Sequence, residues 1–429
     1  RVGCMPSKVL IQSANDFYRR HALGTQGIFG GEQLRIDHSK VMRHVRSLRD
    51  RFTSGVIEAH AQWEDKLIRK RATLLSANTL RVGEEVIGFK KLIVATGSRP
   101  VLPSAWEPYK DKIIDTNAFF ELETLPKRVA VIGLGVIGLE LGQALHRLGV
   151  EVVGFTVGKA LGGVSDPEIQ DYIVDKLQQE FPLHCNGVEI TGTSEAGQLI
   201  LKADNKTYEV DHALVSVGRR ANIDNIGLEN LGVEIDTRKG PDVDINTMQW
   251  KTLPHIFFPG DVNSLRPILH EAADEGRIAG HNAVHDVACF KRRVSLGITF
   301  SDPNIATVGQ RHQDLIEEKK KFVTGKVSFE GQGRSIVKLK EQGKLHVYAD
   351  PESGEILGAE LQAPDGEHLA HLLSWAVSLK LSVTEALKLP FYHPVIEEGL
   401  RTALRDAVGK LNSPPGDLEL FRCEDSPIR

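Results

Sequence analysis

A chain of 429 residues exceeds the usual size of one domain and predicts two or three. Hydrophobic residues at 41% and charged residues at 26% describe an ordinary globular protein with a sizeable core, and a formal charge of −4 excludes a global positive field for nucleic acid or an anionic membrane. The four cysteines, Cys4, Cys185, Cys289 and Cys423, are too scattered for a disulfide scaffold and show no zinc spacing, so we expect no metal site and a reducing cytoplasm.

The chain opens on Arg1 rather than methionine, and its first residues read as the middle of a motif, so no leader is read from them. Pro6 suits a first helical turn, and Val9, Leu10, Ala14, Phe17 and Tyr18 recur at helical spacing. A second helix is expected over 38–60. The basic stretches at 43–51 and 319–321 read as solvated helix faces. Short strands follow at 72–77, 79–82, 85–87 and 91–95, the last ending in Ala95-Thr96-Gly97. The proline-rich stretch 99–126 reads as a connector.

From Val129 the pattern becomes βαβ alternation, continuing to about Arg219. The apolar run 129–145 is too short for a membrane span and carries Glu140, so a buried strand, turn and helix fits it better. Later come a strand at 255–258 leading into Gly260-Asp261, a helix over 270–287, short strands from about Val294, and helices over 366–379 and 394–411.

Val129-Ala130-Val131-Ile132 runs into Gly133-Leu134-Gly135-Val136-Ile137-Gly138. In such a unit the first glycine makes the tight turn, the second lets a pyrophosphate approach, and the third lets helix and strand pack closely. The helix N-terminus then favours the phosphates. This predicts a dinucleotide site. An acid at the end of the next strand would mark NAD, but Thr156 holds that place, Glu151 is at the wrong end, and Lys159 alone makes a poor 2′-phosphate clamp. We expect NAD rather than NADP.

Gly3-Cys4-Met5-Pro6-Ser7-Lys8 puts a cysteine at a helix mouth, where dipole and free N–H groups favour the thiolate. The stretch resembles the redox-active segment, Cys-x-x-x-x-Cys-x-Pro-Ser-Lys, of the class I pyridine nucleotide-disulfide oxidoreductases, the family of dihydrolipoyl dehydrogenase, glutathione reductase and mercuric reductase. The resemblance is strongest to the dihydrolipoyl dehydrogenase type. It implies that Cys4 is the flavin-facing cysteine, that Lys8 stands near flavin N5, and that Glu140 pairs with that lysine. It further implies that Ala95-Thr96-Gly97 lies against FAD and that Asp261, after Gly260, bonds the ribityl chain. Val217-Gly218-Arg219-Arg220 would close the nicotinamide domain, and Ser301-Asp302-Pro303 with 306–309 would open a dimerisation domain.

Phe391-Tyr392-His393-Pro394 precedes Glu397-Glu398, and a carboxylate on one imidazole nitrogen makes the other a better base. His393 and Glu398 resemble the family's base and orienting acid, which serve the partner subunit's site, with Glu397 as the rival acid. Lipoamide dehydrogenases commonly read His-Ala-His-Pro-Thr here, and this chain departs from that pattern. A C-terminal cysteine pair, typical of mercuric reductases, is not matched by Cys423 alone.

The resemblance implies an α/β fold of two Rossmann-like dinucleotide-binding domains, for FAD and NAD, plus a C-terminal α+β dimerisation domain. The expected division is 1–117 with 240–290 for FAD, 118–239 for NAD(P), and 291–429 for dimerisation. The expected activity passes electrons between a dithiol/disulfide substrate, a small molecule or a lipoyl domain, and NAD⁺, in a homodimer without nucleic-acid or membrane partners. The family pattern adds ~45 residues in front, holding an ADP-binding glycine loop and a first redox cysteine. Three alternatives stand beside this expectation: a glutathione-reductase-like enzyme, a pyridine nucleotide transhydrogenase, or a catalytically dead NAD-binding dimeric fragment.

Overall fold

The computed structural model describes residues 2–233, 235–236, 239–413 and 418–423. The chain divides into two compact units, Arg1–Phe52 with Ser104–Ser216 and Val294–Arg429, and Thr53–Pro103 with Val217–Arg293.

The first unit begins with α1 (Cys4–Tyr18) and the first half of α2 (His38–His60). Its parallel sheet has the order β1-β8-β2-β3-β4: β1 (Ile113–Ile114), β2 (Arg128–Ile132), β3 (Glu151–Phe155), β4 (Leu183–His184) and β8 (His212–Val215). β2 is buried along nearly its whole length, as suits a strand covered on both faces. Helices α3 (Val136–Arg147) and α4 (Pro167–Glu180) make the crossovers. Asp166 caps α4 by accepting the N–H groups of Glu168 and Ile169, with Pro167 in the first turn where its missing N–H costs nothing.

The expected βαβ alternation stops at β4. The chain instead forms an antiparallel meander of β5 (Glu189–Thr193), β6 (Leu199–Ala203) and β7 (Lys206–Val210) before β8. Turns at Asp204-Asn205, both with positive φ, and at Gly197 close it tightly, leaving no length for a third crossover helix. The expected connector also carries structure: β1 pairs in parallel with β8, burying Ile114.

The unit's C-terminal part is an antiparallel sheet in the order β9-β10-β13-β12-β11: β9 (Leu296–Thr299), β10 (Asn304–Gly309), β11 (Val323–Ser328), β12 (Lys344–Ala349) and β13 (Ile356–Ala363). Helices α5 (Gly366–Ser378) and α6 (Glu398–Val408) pack on it through Leu369, Leu373, Leu400 and Leu404. α6 starts at Glu398 rather than 394, because Val395 N–H donates to the Glu398 carboxylate and Gly399 N–H to Ile396 O, which makes 395–399 a turn. Buried polar groups tie the start of α4 to this sheet. Glu360 accepts the Ser165 hydroxyl and the N–H groups of Ser165, Asp166 and His312, while Asp166 accepts His346 Nδ1 and Tyr348 Oη. These contacts hold Asp166 well below the ordinary carboxylate range against its own burial, and burial pushes the Tyr348 hydroxyl up.

The basic stretch 43–51 is not wholly a solvated face. Arg49 lies on the side of α2 that carries Met42 and Val45, and it is buried with donors satisfied by Asp50, Glu121 and Phe120 O. Among the described residues no helix is long and apolar enough to cross a membrane.

The second unit holds an antiparallel sheet of Ala72–Ser76, Thr79–Val82 and Glu85–Gly88, a parallel pair of Leu92–Ile93 with Ile256–Phe257, and an antiparallel pair of Ser98–Pro100 with Arg219–Ala221. Its helix Leu269–Val284 ends before the expected 287, since His285 is extended.

Candidate active site and dinucleotide loop

Cys4 is the first residue of α1, capped by Gly3, and its side chain is exposed. Ser7 donates its hydroxyl back to Cys4 O at 3.0 Å, and Ser7 N–H bonds Gly3 O at 3.2 Å, so the first turn is fixed around the thiol. All four cysteines are free thiols.

Lys8 stands one turn after Cys4, on the same face of α1. Its ammonium donates to both Glu140 oxygens, at 2.8 and 2.7 Å, and lies 4.5 Å from the centroid of the Phe300 ring. Glu140, on α3, is only 4% exposed and accepts Phe300 N–H at 2.9 Å. Two donors on a buried carboxylate offset its loss of water. Arg147 locks the same helices together by donating to Asn15 on α1, Glu180 on α4 and Asp302. No local pattern points to Phe300, because its partner lies 160 positions away.

His393 Nδ1 bonds Glu398 Oε1 at 3.0 Å. Glu398 Oε2 takes Val395 N–H at 3.2 Å, so the acid is oriented from both sides. The bond from His393, and then that from Val395, hold the Glu398 carboxyl below its usual range. Glu398, not Glu397, is therefore the acid that reaches the imidazole. The His393 side chain is 81% exposed. Among the described residues no hydrogen bond or ion pair joins Cys4 to the His393–Glu398 pair within one chain.

The glycine loop follows β2. Gly133 has φ +90° and donates its N–H to Phe155 O at 2.8 Å, linking the loop to β3. A Cβ on Gly138 would meet Gly133 O at 1.8 Å and Ser216 Oγ at 2.4 Å, so only glycine lets α3 approach β2 this closely. A Cβ on Gly135 would meet nothing, which leaves that backbone open to a ligand at the N-terminus of α3.

In the second unit, Ala95 is exposed, Thr96 and Asn222 exchange hydrogen bonds at 2.7 and 2.9 Å, and Gly97 has φ +70° with open space at its Cβ position. Ser98 donates to Asp261 Oδ2 at 2.7 Å, and Gly218 is also left-handed, at φ +120°. Behind the Gly260-Asp261 turn sits Glu275, fully buried, which accepts Gly260 N–H at 2.6 Å and Asn263 Nδ2 at 2.7 Å and pairs with Arg292 at 2.9 Å. Sequence reasoning missed Glu275 and Arg292; the acid followed by Gly276 within a helix was the only local signal.

Residues 1–276 match the family described as pyridine nucleotide-disulphide oxidoreductase. The chain belongs to that family. Residues 296–404 match the dimerisation domain of the pyridine nucleotide-disulphide oxidoreductases, which makes this region a homodimerisation module. Curated relatives include a dihydrolipoyl dehydrogenase of Cupriavidus necator, 30% identical with 94% of this chain and 86% of the relative covered, and one of Bacillus subtilis (strain 168), 28% identical with 95% and 88% covered. Among solved structures, the HOCl-induced flavoprotein disulfide reductase RclA from Escherichia coli aligns with a TM-score of 0.78 at 20% identity, covering 95% of this chain and 89% of that one. LpdA from Mycobacterium tuberculosis aligns at 0.78 and 21% identity, covering 94% and 89%. As a member of the family, this chain is an FAD-containing, nicotinamide-dependent disulfide oxidoreductase with the expected α/β architecture.

Proposed function

We propose that the chain oxidises a dihydrolipoyl-type dithiol, free or on a lipoyl domain, at the expense of NAD⁺, with Cys4 as the flavin-facing redox cysteine. One observation carries this reading: an exposed thiol at the mouth of α1, one turn from a lysine whose ammonium is anchored on both oxygens of a buried carboxylate.

The residues fit both cofactors. Gly97, the Gly260-Asp261 turn and the second oxygen of Asp261 would hold FAD, with Ala95 and Thr96 in the adjoining backbone. The open backbone at Gly135, between Gly133 and Gly138, would take the pyrophosphate of NAD. Bound flavin supplies the two-electron relay between dithiol and nicotinamide.

The chain's own groups then have defined tasks. With Nδ1–H donated to Glu398, His393 presents Nε2 as a lone pair that takes the proton of an incoming thiol. Its exposure suits action on the partner subunit's Cys4 across the dimer. With FAD bound, Lys8, held by Glu140, would supply the positive charge that offsets the electrons an oxidised flavin takes up. We retain the division into 1–117 with 240–290, 118–239 and 291–429 as the functional domains, and unpaired cysteines suit a cytoplasmic location.

Tyr392, 81% exposed beside the base, departs from the lipoamide dehydrogenase pattern and favours a second reading, a glutathione-reductase-like or transhydrogenase activity. Assays of purified protein with dihydrolipoamide, glutathione disulfide and thio-NAD decide between them. We expect dihydrolipoamide to be turned over fastest; preference for either other substrate rejects the first reading.

A further inference from the structure

In a strand, glycine loop and helix unit, the adenosine ribose is read at the carboxyl end of the second strand. An acid there bonds the ribose hydroxyls, or a cation accommodates a 2′-phosphate. Here the second strand, β3, ends at Phe155, and Thr156, Val157, Gly158 and Lys159 follow. Its only acid, Glu151, stands at its start, and Thr156 brings a neutral hydroxyl. The segment is pinned: Thr156 N–H bonds His184 O at 2.8 Å, Gly158 N–H bonds Cys185 O at 2.7 Å, and Gly187 N–H bonds Thr156 O at 2.8 Å. The Lys159 stem thus leaves from a fixed point.

Lys159 is the only basic residue from 156 to 164. Its ammonium lies 2.6 Å from Asp171 Oδ1 on α4, and the two side chains are 54% and 60% exposed. The hydrogen bond from Lys159 to Asp171 holds the ammonium in its charged form, and Asp175, one turn further along α4, adds a weaker field of the same sign. So exposed a pair contributes little to folding. Its effect falls on the charge this corner shows to a ligand.

We propose that Asp171 is a specificity-determining residue, holding the Lys159 ammonium away from a 2′-phosphate and so turning this corner toward NAD(H) and against NADP(H). The inference rests on the dinucleotide reading of the 133–138 loop. Preference for NAD⁺ then comes from withheld attraction to the phosphate, since no carboxylate at the strand end grips the ribose diol. Such a preference is modest, and a single substitution on α4 relaxes it.

The test is calorimetric titration of the purified protein with NAD⁺ and with NADP⁺. Wild type should bind NAD⁺ more tightly. Asp171→Asn should shift the ratio of the two dissociation constants toward NADP⁺ by about tenfold, the scale of one charge-assisted contact to phosphate. Adding Lys159→Ala to that variant should restore the original ratio. An unchanged ratio in Asp171→Asn overturns the proposal, as does a shift that persists without Lys159. Failure of wild type to bind either dinucleotide rejects instead the reading of the glycine loop on which the proposal stands.

Discussion

Two of the chain's pairs of a nitrogen base with a carboxylate, Lys8–Glu140 and His393–Glu398, differ in what surrounds them. Lys8–Glu140 joins α1 to α3, with its acid 4% exposed and further bonded by a backbone N–H. His393–Glu398 sits at the start of α6, its imidazole 81% exposed. The first pair is complete within one chain, so it serves both packing and charge. The second has an oriented imidazole that, among the described residues, hydrogen-bonds Glu398 alone. The pair lies within the region that matches the family's dimerisation domain.

Substitutions can break or sharpen this contrast. The largest effect is expected at the exposed pair: His393→Ala should slow dithiol oxidation by ~10²–10⁴-fold, the usual share of a general base, while NADH still reduces the flavin at the wild-type rate. Equal loss in both half-reactions would erase the distinction between the pairs. Next comes Glu140→Ala, which strips the counter-ion from an ammonium only 30% exposed. It should lower stability by about 3 kcal/mol in chemical denaturation, whereas His393→Ala should move the denaturation midpoint far less. The smallest effect concerns acid. Glu398 titrates lower folded than unfolded, so its contribution is complete above the unfolded value of ~4.3 and disappears as pH falls through the lowered one. Any gap in thermal midpoint between wild type and Glu398→Gln at pH 6 should therefore close on acidification; a gap that widens would mean the carboxylate is not held by His393.

Local signals were read well wherever neighbours in sequence decide the outcome. α1, α2 and the β2–loop–α3 unit follow from apolar spacing and glycine placement, and the pairing of Lys8 with Glu140 came from family resemblance. The errors share a cause. The start of α6 is set by a backbone bond to a glutamate that helix periodicity counts as interior, and the meander after β4 is set by two left-handed turn residues that resemble any polar loop. Likewise, the inward turn of Arg49 depends on Glu121, and the Asp166–His346–Tyr348 joint spans about 180 positions, beyond the reach of any pattern along the chain.

Gly138 has a mechanical consequence. The helix it seats against the sheet also carries Glu140, two residues on, so the loop meant for a pyrophosphate and the anchor of Lys8 ride on one rigid strut. A methyl at 138, with Gly133 O only 1.8 Å away, would tilt that strut and disturb both ends at once. The position of the glycine loop and that of the Lys8 anchor are thereby geared together, since one helix carries both.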